Sequence, residues 1–249
     1  MKVVLKNIVK KILPYKVNAK ISHLRYIDDR LRPFSQRLCN ICGYRGFFKV
    51  MGRPIRIDAK CPKCMSLERH RLLKLSIDNG EIVEFGDPDK SILHFAPEAT
   101  LEKIFRENFT TYATADLFEP ADMCLNIEKI EIDDASFDIV IANHVLEHVD
   151  DDLASREVRR ILRPGGIFIC QVPIIEGWSK TYEPEKLLND ADRWLHFGQG
   201  DHVRFYGRDF RDRIQESGLI LDQEITAWGE DVVKYGLLRG EKIFVFKNV

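Results

Sequence analysis

Four cysteines open the question of chemistry. Cys39-Asn-Ile-Cys42 and Cys61-Pro-Lys-Cys64 form two CxxC pairs separated by 18 residues. Four thiolates at this spacing can close tetrahedrally on Zn²⁺, with Gly43 and Pro62 easing the tight turns. A redox pair would need only one CxxC, and disulfides are disfavoured in a chain read as cytoplasmic. Cys39, Cys42, Cys61 and Cys64 are therefore expected to hold a structural zinc. Cys124 and Cys170 stand in apolar contexts and read as core residues.

The histidines come next. His144-Val-Leu-Glu147-His148 matches H-x-x-E-H, a zinc-protease signature. It directly follows the apolar stretch SFDIVIAN, lies in an acidic run, and has no evident third ligand in the sequence, so a protease is not the expected outcome. GQGDHVRFYG (198–207) gathers His202, Arg204 and Tyr206 in a loop-like stretch. An arginine there suits a phosphate or carboxylate. The alternative is that Arg204 pairs with a nearby Asp and Tyr206 packs in the core.

These residues need a scaffold. The chain has 249 residues, 45% hydrophobic and 31% charged, an ordinary composition for a globular protein. From Ser91 onward, strand-like and helix-like segments alternate: SILHF, FTTYATAD ending at Asp116, SFDIVIAN, the helix DDLASREVRRIL stopped by RPGG, IFICQVP, the helix YGRDFRDRIQESG, and the strands LILDQEITAW and KIFVFK. This order predicts a doubly wound α/β fold with a mostly parallel sheet and an antiparallel hairpin at its end. The expected division is a basic helix and linker (1–36), a zinc ribbon (37–66), a connecting helix (67–84) and an α/β domain (85–249).

The net charge of −1 conceals two unlike parts. Residues 1–75 carry 19 Lys+Arg against 4 Asp+Glu, a net +15; the remainder carries 19 against 35, a net −16. A basic front suggests an anionic partner, RNA or a membrane surface, or else attraction between the two parts. Residues 1–13 read as a short basic amphipathic helix stopped by Pro14, able to lie on an anionic membrane or to dock on the protein. No apolar run approaches the roughly 20 residues of a membrane span. The N-terminus does not read as a signal peptide. The expected location is cytoplasmic, peripheral at the inner face of the membrane if that helix docks there.

The block SFDIVIANHVLEHVDDD…EVRRILRPGGIFICQVP resembles the second half of a class I S-adenosylmethionine-dependent methyltransferase domain, type 11-like. The resemblance covers about residues 85–249. With LHFAPE, CPKCMSLERHR and GDHVRFYGRDF, the chain looks like a zinc-ribbon subgroup associated with bacterial surface-polysaccharide biosynthesis. The resemblance implies a seven-stranded Rossmann-like sheet and S-adenosylmethionine as cofactor. In the first cofactor loop, His94 stands where the family has an acid. Ala96, Glu98 and Thr100 stand at its glycines. Glu98 is then expected to take the cofactor's ammonium, with Ala96 permitting close approach. Asp116 falls where an acid grips the ribose, beside Leu117. Asn126 and Ile127 fall beside the adenine, and Asn143 ends the fourth strand. His144 and His202 become candidate catalytic residues, His144 as a base or substrate contact; His196, Arg204 and Tyr206 become candidate acceptor contacts. The resemblance implies O-methylation of a carbohydrate or other small polar acceptor. RNA methylation and a non-catalytic scaffold are the alternatives.

Overall fold

The computed structural model describes residues 17, 35–52, 54–185 and 189–249. The basic helix expected at 3–13, and with it the membrane-surface expectation, lies outside them. Among the described residues no helix is long and apolar enough to cross a membrane.

The cysteine unit is built from two small antiparallel ladders. β1 (Arg37–Leu38) pairs with β2 (Arg45–Gly46), and β3 (Lys49–Met51) with β4 (Arg56–Lys60). Helix α1 (Glu68–Asp78) follows and ends at Asn79-Gly80, as the Asn-Gly pair predicts.

Seven strands then form one sheet. They are β5 (Ile92–Phe95), β6 (Tyr112–Asp116), β7 (Met123–Cys124), β8 (Phe137–Asn143), β9 (Leu162–Gln171), β10 (Ile220–Thr226) and β11 (Lys242–Lys247), in the order β10-β11-β9-β8-β5-β6-β7. All neighbours are parallel except β11, which runs antiparallel to both β9 and β10. The helices α2 (Ala99–Asn108), α3 (Asp151–Ile161), α4 (Asp190–Phe197), α5 (Phe210–Gln215) and α6 (Gly229–Tyr235) are the further α-helices among the described residues.

The continuous apolar runs of β8 and β9 arise because both sheet faces are covered. Ile139, Ile141, Ile167 and Ile169 join one core cluster, while Val140, Ala142, Phe168 and Cys170 join the other. Asp150 caps α3 by accepting from the N–H groups of Asp152 and Leu153. This helix ends at Ile161, before RPGG, which belongs to the irregular start of β9. α5 is shorter than the expected 206–218 segment. Gly207 lies so close to the Lys180 backbone that an added Cβ would sit 2.5 Å from it, which holds that stretch in place before the helix starts. The segment pattern of the sequence does not announce α4, α6 or the two-residue β7. Cys170 is buried as expected, but Cys124 is exposed on edge strand β7.

Candidate active site and metal centre

The two CxxC turns are superimposable in their bonding. Gly43 N–H donates to Cys39 O at 2.9 Å and Met65 N–H to Cys61 O at 3.0 Å; Cys39 N–H donates to Tyr44 O and Cys61 N–H to Ser66 O. Gly43 and Met65 share the left-handed conformation, at φ 70° and 65°. The Sγ atoms of Cys39 and Cys64 lie 3.5 Å apart, and those of Cys42 and Cys61 3.7 Å. All four lie within 4.8 Å of one another. A tetrahedron with metal–sulfur arms of about 2.3 Å has edges of roughly 3.8 Å, so the four sulfurs fit one zinc ion and leave no open position.

The cofactor end lies where the strand order reverses, between β5 and β8, at their carboxyl ends. Ala96 follows β5 with φ 47°, so the first glycine position keeps its left-handed backbone although the glycine is gone. The conformation costs an alanine about 1 kcal/mol. Ala96→Gly is therefore expected to raise unfolding free energy by about that much in denaturant titration. A value at or below wild type would mean the loop is not strained.

Glu98 stands at the N-terminal boundary of α2. Its carboxylate meets His94 Nε2 at 3.1 Å, His70 Nε2 at 3.5 Å and Arg69 Nε at 3.8 Å. Burial opposes its ionisation, but these three groups outweigh it and bring the pKa down to about 2. His94, expected at the cofactor, is fully buried, with Nδ1 on the Tyr112 hydroxyl. It orients Glu98 from behind the loop instead of facing a ligand. Asp116 Oδ1 accepts from the N–H groups of Phe118 and Glu119, which aims the carboxylate at the strand end. Leu117 beside it is exposed. Asn126 Oδ1 accepts from Glu128 N–H. Ile127 packs into the core, which removes it as a contact for an adenine ring.

Several buried polar atoms at this end have no hydrogen-bond partner: Glu98 Oε1, Thr100 Oγ1, Gln171 Oε1, and both amide atoms of Asn143. Orphaned donors and acceptors beside a left-handed loop fit a ligand that carries its own ammonium, carboxylate and hydroxyl groups.

A cleft of about 1180 Å³ adjoins this end. The ribbon supplies one wall (Met51, Arg56), with Arg69, His144, Trp194 and His202 among the other lining residues. His144 does not suit a base. It holds a left-handed φ of 54°, with Nδ1 3.1 Å from Glu147 Oε1 and Nε2 3.6 Å from Glu241 Oε1. Burial opposes its charge, but the two carboxylates raise its pKa to about 9, so near neutral pH it already carries the proton. His202 is the opposite case: burial lowers its pKa.

Arg204 and Tyr206 turn inward. Arg204 donates to the Leu146 and Val149 carbonyls and pairs with Glu183. Tyr206 is fully buried and donates to Leu146 O. These bonds sew the 202–206 stretch onto the 146–149 turn, and neither side chain is free to hold an acceptor. His196 is exposed, with Nδ1 2.6 Å from the Tyr182 hydroxyl, and does not line the cleft. Trp194 and Leu195 of the same helix do.

The sheet order, with an antiparallel seventh strand beside the fifth and a ligand end at the reversal point, defines a class I, Rossmann-like methyltransferase domain. A methyltransferase-domain family profile, type 11, matches residues 93–170. It is 35% identical over 74 residues, 27% of this chain and 29% of the relative, to the ubiquinone/menaquinone biosynthesis C-methyltransferase UbiE of Caulobacter sp. (strain K31). It is 32% identical over 106 residues, 40% of this chain and 46% of the relative, to the uncharacterized protein YafE of Escherichia coli (strain K12). The chain thus spans less than half the length of these curated relatives. Among solved structures, the cyclase SpnF superposes with a TM-score of 0.52 at 15% identity, covering 74% of this chain and 83% of that one. That likeness concerns the fold.

Proposed function

We propose that this chain binds S-adenosylmethionine at the β5–β8 end and O-methylates a small polar acceptor, a carbohydrate by preference, in the adjoining cleft. The observation that carries the reading is the set of orphaned buried polar atoms around the left-handed Ala96 loop, opposite a pinned Asp116. Asp116 holds the ribose hydroxyls and the fixed anion of Glu98 takes the ammonium. When bound, the cofactor supplies an electrophilic methyl carbon on a sulfonium. The protein's part is to aim an acceptor oxygen at that carbon and exclude water. The half-exposed face of Trp194, beside Gln199 and Arg239 in the cleft lining, suits a sugar ring with hydroxyls at its rim. The four-cysteine ribbon holds one structural zinc and walls the cleft.

RNA methylation has less support. Arg37 is paired with Asp58, Arg56 with Glu68, and Arg71 is buried, so part of the basic front serves the fold and not a phosphate backbone. Calorimetric titration of zinc-loaded protein with S-adenosylmethionine and S-adenosylhomocysteine tests the cofactor reading. Asp116→Ala is expected to weaken both by roughly 30–100-fold, the loss of about 2–3 kcal/mol of charge-assisted hydrogen bonding. Absence of binding to the folded wild type would overturn it.

A further inference from the structure

The H-x-x-E-H stretch acquires in the fold what its sequence lacks. Leu146–His148 form a single 3-10 turn, and His144 is occupied by Glu147 and Glu241. A third group arrives from 54 residues downstream. Val203 N–H donates to Glu147 O at 3.0 Å, and the Arg204 and Tyr206 bonds to the same turn fix the register. His202 is thereby set against Glu147 and His148, with the rings of His148 and His202 edge-to-face at 4.7 Å between centroids. One ligand atom from each of the three side chains lies within 4.8 Å of the other two.

We propose that Glu147, His148 and His202 form a second metal centre, separate from the cysteine cluster, that takes a divalent transition-metal ion, Zn²⁺ being the best match. Each member is prepared for it. Glu147 is fully buried; His144 engages its Oε1, while Oε2 is buried with no hydrogen-bond partner. His202 is 4% exposed, and its Nδ1 is likewise buried and unpartnered. His148 Nδ1 lies 3.1 Å from the Asp201 carbonyl oxygen. A carbonyl only accepts, so Nδ1 carries the hydrogen and Nε2 presents a lone pair, the arrangement by which a backbone carbonyl orients a ligating histidine.

A buried carboxylate oxygen and a buried imidazole nitrogen, both unsatisfied, are each costly. A side-chain brace for the turn would have no need of them. A cation between them satisfies both at once, and Glu147 then bridges it to His144. One carboxylate with two imidazoles is a set that Zn²⁺ accepts with a position left open, whereas an all-oxygen set would suit Mg²⁺ or Ca²⁺. His202 lines the cleft, so the ion lies in its wall. Its use as a Lewis acid toward an acceptor oxygen rests on the methyl-transfer reading; the metal site itself does not.

The test is Co²⁺ titration of the metal-stripped full chain, followed by absorbance. The cysteine cluster gives intense thiolate-to-metal charge-transfer bands. The proposed centre gives a second equivalent with d–d absorption and no further charge transfer. His202→Asn and His148→Gln are expected to weaken that second equivalent by about 100-fold or more, since loss even of an outer partner costs 10–100-fold, and to leave the charge-transfer bands intact. His148 is partly exposed, so its variant is the safeguard should His202→Asn not fold. Saturation at one Co²⁺ with thiolate character only, or a second equivalent indifferent to both variants, would overturn the proposal. S-adenosylhomocysteine titration of the same samples separates the two readings. Wild type that binds two metals but no cofactor sinks methyl transfer alone; one metal with cofactor binding intact sinks this centre alone.

Discussion

Replacing Arg71 with methionine is expected to lower the unfolding free energy of the metal-loaded protein by about 3–5 kcal/mol, as for other buried charges whose network is broken. Arg71 is wholly buried on α1. Its guanidinium donates to Ser66 O at 2.8 Å, Ala59 O at 2.9 Å, Tyr235 O at 2.8 Å and Gly236 O at 2.6 Å, and lies 4.6 Å from the centroid of the Phe48 ring. It thus ties the second cysteine turn to the end of α6, where Gly236 has φ 60° and a Cβ would sit tightly, 3.1 Å from Asp58 O and 3.3 Å from the Phe48 ring. Arg71 is in no direct ion pair with a carboxylate among the described residues. The balancing charge is nearby: four thiolates on a divalent ion carry a net −2. Methionine fills similar space but takes a donor from four carbonyls, of which Ser66 O keeps the Cys61 N–H. Lysine keeps the charge but lacks the planar fork that reaches two segments at once, so Arg71→Lys should recover little. Denaturant titration in the presence of zinc reads both variants. A loss under 1 kcal/mol for Arg71→Met would show that the ribbon is held to the sheet by other contacts.

Arg71 also marks where sequence reading stops. Counted by composition, it belonged to a basic front seeking an anionic partner; only the packing of α1 against β4 and α6 turns it inward. What was legible is local or periodic. The cysteines announce themselves because the ligands of one turn are three residues apart. β8 and β9 are legible because two-sided burial leaves unbroken apolar runs, and Asp116 because it closes such a run. The unreadable parts depend on long-range placement or unusual backbone. His202 meets Glu147 only through a loop bonded to a turn far back in the chain. Arg204 and Tyr206 have the residue types of a binding loop, and the carbonyls that claim them cannot be seen in the sequence. His144 points between two carboxylates with a positive φ, a conformation uncommon outside glycine that the sequence does not announce. α4 is not legible because Trp194 and Leu195, which line the cleft, break the polar face expected of a surface helix.

Stability is expected to fall as pH drops from about 6.5 to 4, and His70→Gln is expected to flatten that limb. His70 occupies the third position of α1 and accepts through Nδ1 from Leu67 N–H at 3.3 Å, while Nε2 faces Glu98. Burial holds its pKa down at about 4, against the opposing pull of Glu98. A proton on Nδ1 would also abolish the cap and place a cation at a helix N-terminus. The unfolded chain takes up that proton near pH 6.5 and the native state resists it to about 4. The unfolded state therefore binds more protons in this window, and stability is lost on acidification. A displacement of that size is worth about 3 kcal/mol at most. Glutamine can make the same capping contact without titrating, so His70→Gln should match wild type above about pH 6.5 and become increasingly the more stable of the two as the pH falls toward 4. Glu98 extends the limb. Its native pKa near 2 gives stability that is complete above its unfolded value of about 4.5 and disappears as pH falls toward 2. Unfolding free energies from pH 7 to 3 distinguish the two groups, because His70→Gln should remove the upper segment and Glu98→Gln the lower. An unchanged slope between 6.5 and 4 in His70→Gln would assign that limb to other groups and break the link between the helix cap and the cofactor loop.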